Sequence, residues 1–254
     1  MKHKKPLKME SCRQNQLKQW FDSGLGANLA DLEAGCFEPY INAMFGYHVV
    51  QFGQLRTGEN LLQRCPARNH LVMGLGRQPD GSHIVADGTR LPFPGDSVDG
   101  VLLPHTLDFS KDPHQLLREV ERVLIPEGKV LISGFNPWSQ WGAWRLMRLR
   151  SHAAPWCGHF FSSGRVTDWL ALLGFDLLEL RYLHYRPPLR GVSVMQKLQF
   201  MERLGERVYP KLGGVYIIHA VKRVATLTPI RPKWTVKKRV LPTAAEPTIR
   251  NGIK

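Results

Sequence analysis

Cysteine is scarce in this chain. Cys12, Cys36, Cys65 and Cys157 are the four among 254 residues, and they are widely scattered. No pair has the close spacing of a zinc ribbon or finger, so no metal site is expected from them. A chain of this length with so few thiols needs no disulfide framework. The cysteines read as buried or incidental, and the expected compartment is a reducing cytoplasm. Long apolar runs are missing too. None approaches the ~20 residues that cross a bilayer, so no transmembrane segment is expected. The basic opening MKHKKPLK is not followed by an apolar stretch, which sets it apart from a secretory signal.

Acidic residues are also few: 21 Asp and Glu stand against 35 Lys and Arg, for a net charge of +14. Such an excess suggests a polyanionic partner until it is located. Lys2, Lys4, Lys5 and Lys8 carry four of the charges, and residues 222–254 carry nine Lys or Arg against one Glu. The body between them is close to neutral. Residues 226–254 also hold Pro229, Pro232, Pro242 and Pro247, which oppose a packed element. This tail reads as a solvated, disordered segment or as an attachment to RNA or an anionic surface.

What the chain does contain is a substantial apolar core, at 43% hydrophobic residues, organised around residues 84–136. Three apolar runs, Ile84 to Ala86, Val98 to Leu103 and Lys129 to Ser133, have the texture of strands buried on both faces. Between the second and third lies a marked helix. Asp112 stands at the N-cap, Pro113 at the first helical position and Gln115 at the third residue of a capping box. Leu116, Leu117, Val120, Val123 and Leu124 follow on one face, and Pro126-Glu127-Gly128 is expected to end the helix. Strand, helix and strand with tight connections make a right-handed crossover.

This stretch resembles the class I S-adenosylmethionine-dependent methyltransferases, especially the type 11 branch. Its carriers are Asp87-Gly88 followed by Leu91-Pro92-Phe93, the Val98-Asp99 strand start, Asp112-Pro113 and Pro126-Glu127-Gly128. The continuation Ser133-Gly134-Phe135-Asn136-Pro137-Trp138 is similar to a bacterial subgroup, the YafS-like proteins. The resemblance is good over residues 47–136 and looser to about residue 223. It implies S-adenosylmethionine as cofactor and a small-molecule methyl acceptor. It also implies a doubly wound, mostly parallel, Rossmann-like α/β sheet into which an antiparallel last strand is inserted.

By the same resemblance, Asp87 is expected to accept from the adenine amino group, with the Gly88 backbone N–H beside the ring. Leu103, Pro104 and His105 are expected to line the cofactor after the fourth strand. His105 is the candidate catalytic base, or else it lines the pocket. Gln51 stands near the family's acidic position at the end of the first strand, Tyr47 to Gly53, and Gly53 opens the turn that approaches the cofactor. The sequence departs from the family at two places. The loop Gly53-Gln54-Leu55-Arg56-Thr57-Gly58 lacks the repeated glycines. The second strand ends in Gly74-Leu75-Gly76, where an acidic residue would bind ribose, and turn-rich residues 77–82 follow.

Elsewhere, residues 11–45 read as two helical pieces broken at Gly24 to Gly26. One carries Leu17, Trp20 and Phe21; the other Leu29, Leu32, Phe37, Tyr40, Ile41 and Met44. They either complete the core or cover the substrate end of the sheet. After Asn136, Trp138, Trp141 and Trp144 fall at spacings that place them on one helix face. That face suits an acceptor pocket or lid, an interfacial helix, or a core cover. A helix over Ser163 to Leu173, a strand over Phe175 to Tyr182, a helical pattern over Val192 to Val208 and a last strand over Val215 to Val221 complete the reading. The expected organisation is a basic arm and helical cap over 1–46, the α/β domain over 47–225 and the basic tail over 226–254. The expected activity is methyl transfer. The alternative is a degenerate methyltransferase fold kept as a binding or scaffold protein.

Overall fold

The structure is a computed structural model that describes residues 15–75, 84–86, 88, 90–147, 153–188, 205 and 207–223. Residues through Val224 form one compact unit, and Ala225–Lys254 form another that lies outside the described residues. The helical pattern expected over Val192 to Val208 falls mostly outside them as well.

Two helices lead the chain, α1 (15–21) and α2 (Gly24–Asn42). The break falls at Asp22-Ser23, just ahead of the expected glycines, and Gly24 is already helical. Gly26 is needed for a different reason. A Cβ there would stand 2.2 Å from the Trp20 carbonyl oxygen, so the corner between the helices closes only on glycine. Leu29, Phe37, Tyr40 and Ile41 are buried as expected, but Leu32 lies off the stripe and is 44% exposed.

Among the described residues, seven strands form one sheet: β1 (His48–Phe52), β2 (Asn69–Leu75), β3 (Ile84–Ala86), β4 (Val98–Pro104), β5 (Leu124–Phe135), β6 (Phe175–Leu183) and β7 (Val215–Lys222). Their order is β3-β2-β1-β4-β5-β7-β6. The first five pair in parallel, and β7 runs antiparallel between β5 and β6. The doubly wound fold with an inserted antiparallel last strand is therefore observed. The order reverses between β1 and β4, and such a switch point is where open α/β sheets hold ligands, outside the carboxyl ends of the strands.

Alternation along the strands assigns the two faces. Val50, Phe52, Val101, Leu103, Val130 and Ile132 pack with α4 (Pro113–Val123) and α6 (Ser163–Leu172) through Leu116, Val120, Val166 and Leu170. Their neighbours Val49, Leu102, Leu131 and Ile217 face α2 through Phe37 and Ile41, with Met44 just after the helix. α4 starts as expected, with the Asp112 carboxylate accepting from the Gln115 N–H at 2.9 Å. It ends at Val123, and Leu124 already opens β5. Pro126-Glu127-Gly128 is thus an excursion inside the strand pairing rather than a helix stop. Val98 pairs with Leu124 and Gly100 with Lys129, and Glu127 takes φ 65° in between.

A third cluster sits at the carboxyl edge. Leu17, Phe21, Leu29 and Ala30 of the leading helices meet Leu55 after β1, Phe109 after β4, Phe135 at the end of β5 and Val215 at the start of β7. Trp141, Trp156 and Phe160 complete it. The leading helices finish the core and also pack over this edge. Of the three tryptophans, Trp141 and Trp144 pack on this cluster and Trp138 does not. Trp141, on α5 (Gln140–Met147), is fully buried, whereas Trp138 precedes the helix and is 75% exposed. The backbone turn made by Asn136, whose side-chain amide donates to the Lys211 and Gly213 carbonyls, separates the two environments.

Candidate functional site at the carboxyl edge

At the end of β1, Gly53 takes φ 80°, in the left-handed region that glycine tolerates best, and its N–H donates to the Met73 carbonyl at 2.8 Å. Gln51 is fully buried, and its amide is spent on the loop. Its nitrogen donates to the Gly53 carbonyl at 2.9 Å, and its oxygen accepts from the Leu61 N–H at 3.0 Å. It stands where a ligand contact was expected, and one bond from each polar atom braces the turn.

The cap helices hold the rest of this loop. Lys18 donates to the Gln54 side-chain oxygen at 2.9 Å, and Thr57 donates to Asp22 at 3.0 Å. Arg56 donates to the Ala27 carbonyl and pairs with Asp31 at 2.9 Å. Glu59 accepts from the Arg56 N–H at 3.1 Å, and burial pushes its carboxyl above the usual range. Leu55, at a position where the family repeats glycine, is fully buried in the edge cluster. Between α2 and residues 58–64 lies a cleft of about 430 Å³ with a polar lining that includes Glu38, Glu59, Asn60 and Arg64.

The expected residues after β4 are brought to the same edge. Leu103 and Pro104 end the strand, buried, and Thr106 donates to the Phe52 carbonyl at 2.6 Å, tying β4 to the end of β1. His105 lies between them in a left-handed conformation, φ 49° and ψ 16°, at the N-cap of α3 (Thr106–Phe109). Its N–H is held by Ser133 of β5, to the carbonyl at 3.1 Å and the hydroxyl at 3.2 Å.

The His105 ring is enclosed. Nδ1 lies 3.0 Å from an Asp108 oxygen, Nε2 lies 2.9 Å from a Glu33 oxygen, and all three side chains are fully buried. The same Asp108 oxygen also accepts from the Phe135 N–H at 2.9 Å. The Phe135 ring lies 4.1 Å away, centroid to centroid, and Phe21 covers the imidazole at 5.5 Å. Burial works against a charged imidazole. The Glu33 charge and the two carboxylate bonds outweigh it and lift the pKa to about 9. Burial raises the Asp108 carboxyl, against the pull of His105 and the Phe135 N–H. Among the described residues, one oxygen of each acid, Glu33 Oε2 and Asp108 Oδ1, is buried without a hydrogen-bond partner.

The adenine side is less fully described. Gly88 is buried. Asp87 lies outside the described residues, as do residues 76–83, and nothing is described of the Leu75 side chain. A ligand that brings hydrogen-bond donors and positive charge fits what is described: a strand-end glycine at the switch point, and two buried acceptor oxygens lacking donors. S-adenosylmethionine is such a ligand.

Sequence reasoning missed Glu33 and Asp108. A signal for the first was present: Glu33 falls four residues after Leu29 and four before Phe37, on the buried stripe of α2. A carboxylate on such a stripe demands a buried partner.

Comparison with known proteins agrees with this architecture. Residues 56–132 match the family model described as a methyltransferase domain. The uncharacterised Escherichia coli protein YafS is 34% identical over 190 residues, which is 75% of this chain and 74% of YafS. A demethylmenaquinone methyltransferase of Renibacterium salmoninarum is 29% identical over 116 residues, 44% of this chain and 42% of its own length. A solved S-adenosylmethionine-dependent methyltransferase of Thermotoga maritima shares the fold with a TM-score of 0.58 at 17% identity, over 85% of this chain and 99% of its own. With the strand order, the switch-point glycine and these matches in agreement, the chain belongs to the class I S-adenosylmethionine-dependent methyltransferase family, in the branch that includes YafS.

Proposed function

We propose that the chain binds S-adenosylmethionine at the carboxyl ends of β1 and β4 and transfers its methyl group to a small apolar or planar acceptor in the cytoplasm. The observation that carries this reading is Gly53, left-handed at the switch point of a family-type sheet. Its neighbours support it. Thr106 locks β4 to β1 beside the turn, Gly88 follows β3, and the aromatic cluster of Phe21, Phe135, Trp141 and Phe160 keeps water from the edge. When bound, the cofactor supplies the activated methyl on a sulfonium together with its leaving group, so the protein's task is alignment and exclusion of water. Gly53, Asp87, Gly88 and the segment Leu103 to His105 would hold it. The aromatic cluster at this edge and the near-neutral body favour an acceptor with an apolar or planar part.

Titration calorimetry with S-adenosylhomocysteine tests the reading. Binding in the micromolar range is expected, about −7 to −8 kcal/mol. Asp87→Ala is expected to weaken it by roughly 1–3 kcal/mol through loss of the adenine contact. A wild-type protein with neither a binding heat nor a thermal shift at millimolar ligand supports a scaffold function instead.

A further inference from the structure

We infer that the outer edge of β6 pairs antiparallel with the same edge of a second copy of this chain, with Leu180 at the twofold axis and Glu179 opposite the partner subunit's Arg181. The pairing joins two seven-stranded sheets into one.

The sheet ends differently on its two sides. β3 is three residues long, and a short edge offers little to pair with. β6 is nine residues long, Phe175–Leu183, and among the described residues nothing pairs with its outer side. It contains neither proline nor lysine, two residues that commonly block an edge. Leu177 and Leu178 are half-exposed, and Leu172, at the end of α6 just before the strand, is exposed. A shift of register against β7 leaves Leu178 as a bulge, and the pairing is regular from Glu179 to Leu183. An exposed, apolar and extended edge of this kind is a template for another strand.

Charge complementarity selects the occupant. Leu177, Leu180 and Tyr182 lie beside Ala220, Ile218 and Tyr216 of β7, on the face covered by α4 and α6. Asp176, Glu179 and Arg181 lie beside Val221, His219 and Ile217, on the face where Ile217 meets α2. Two copies joined edge to edge by a twofold axis run antiparallel, and a continuous sheet keeps each face on its own side. Centring the axis on Glu179 or on Arg181 would set like charges opposite each other, about 5 Å apart, which destabilises. Centring it on Leu180 sets Glu179 against the partner subunit's Arg181, and Arg181 against the partner subunit's Glu179. Glu179 also pairs with Arg181 along its own strand, so the four charges alternate in sign around a square. Bonds from Tyr40 and Arg181 hold the Glu179 carboxyl below its usual range, so it is charged at neutral pH. On the other face, Leu180 meets the partner subunit's Leu180, and Leu177 meets the partner subunit's Tyr182. Asp176 falls opposite the partner subunit's Leu183 and is already engaged by Arg223. One strand pair buries less than the ~1,600 Å² of a standard interface, so the association is weak and concentration-dependent.

Sedimentation equilibrium of the full chain, from micromolar to submillimolar concentration, tests the inference. The wild type is expected to rise from the mass of one chain toward that of two. Glu179→Arg places four arginines around the axis and Arg181→Glu places four glutamates, so each variant alone should associate about tenfold or more weakly than the wild type. Mixed in equal amounts, the two variants set the arginines of one chain against the glutamates of the other, and the dimer should return. Should a single variant fail to fold, the double exchange Glu179→Arg with Arg181→Glu keeps the alternation and is expected to dimerise as the wild type does. A wild type that stays monomeric throughout overturns the inference. So does a dimer that neither variant weakens, or a mixture no more associated than its parts. A full chain that is monomeric while one truncated after Ala225 dimerises would show the tail occupying the edge, and overturns it as well.

Discussion

His105 combines a left-handed backbone, complete burial and two carboxylate partners, three features that each cost free energy in isolation. Together they make the residue a proton-linked element of stability. Its pKa in the fold is about 9, above the ordinary 6.5. The folded state therefore binds the proton more tightly than the unfolded chain does. The resulting stabilisation is fully present below pH 6.5 and is lost as pH rises through about 9. Asp108, also raised, acts in the same direction. The melting temperature is expected to fall by roughly 5 °C or more between pH 6.5 and 9.5, and the fall should be much smaller in Glu33→Gln. Differential scanning calorimetry across that range checks it; a flat wild-type profile would mean that the ring is neutral in the fold. His184, lowered by burial, titrates on the other side. Its contribution is present above pH 6.5 and is lost only as pH falls toward 4, outside this window. At this scale the sequence was partly legible. His105 could be placed at the edge because a strand pattern and Pro104 precede it. Its partners could not, because Glu33 lies 72 residues away and only the fold brings them together.

At the scale of elements, legibility followed the strength of local rules. The Asp112-Pro113-Gln115 cap and the Leu116, Leu117, Val120 and Val123 stripe were readable, since both are set within a few residues. The tryptophan segment was not. Periodicity grouped Trp138 with Trp141, but the Asn136 turn puts one in solvent and the other in the core. The cap corner gives a test with an internal control. Gly26 packs against the Trp20 carbonyl, whereas a Cβ on Gly24 would meet nothing within 4 Å. Gly26→Ala is expected to destabilise the protein by about 1–3 kcal/mol through overpacking, while Gly24→Ala is neutral or slightly stabilising. Urea unfolding of both variants measures this, and equal effects would show that the corner yields. Because α1 and α2 carry Phe21, Lys18, Arg56's partners and Glu33 to the edge, Gly26→Ala should also loosen the loop after β1.

At the scale of the whole molecule, the charge is unevenly placed. The compact unit ends at Val224, and the following residues to Lys254 hold seven Lys or Arg and one Glu together with four prolines. Such a composition buries little apolar surface against a large ordering cost. The described strand β7 already closes the sheet with both faces covered, through Val215, Ile217, Ile218 and Ala220, so the fold has no strand position left for the tail to fill between β5 and β6. Truncation after Ala225 is therefore expected to leave the melting temperature nearly unchanged and S-adenosylhomocysteine affinity within about twofold, less than ~0.5 kcal/mol. If the basic tail does attach the protein to RNA or an anionic surface, that attachment falls with truncation and with added salt, while cofactor affinity does not fall with truncation, since the tail's charges lie in a different unit from Gly53 and His105. A melting temperature that drops by many degrees on truncation would show that the tail packs on the methyltransferase unit and that proline and charge content misled the reading.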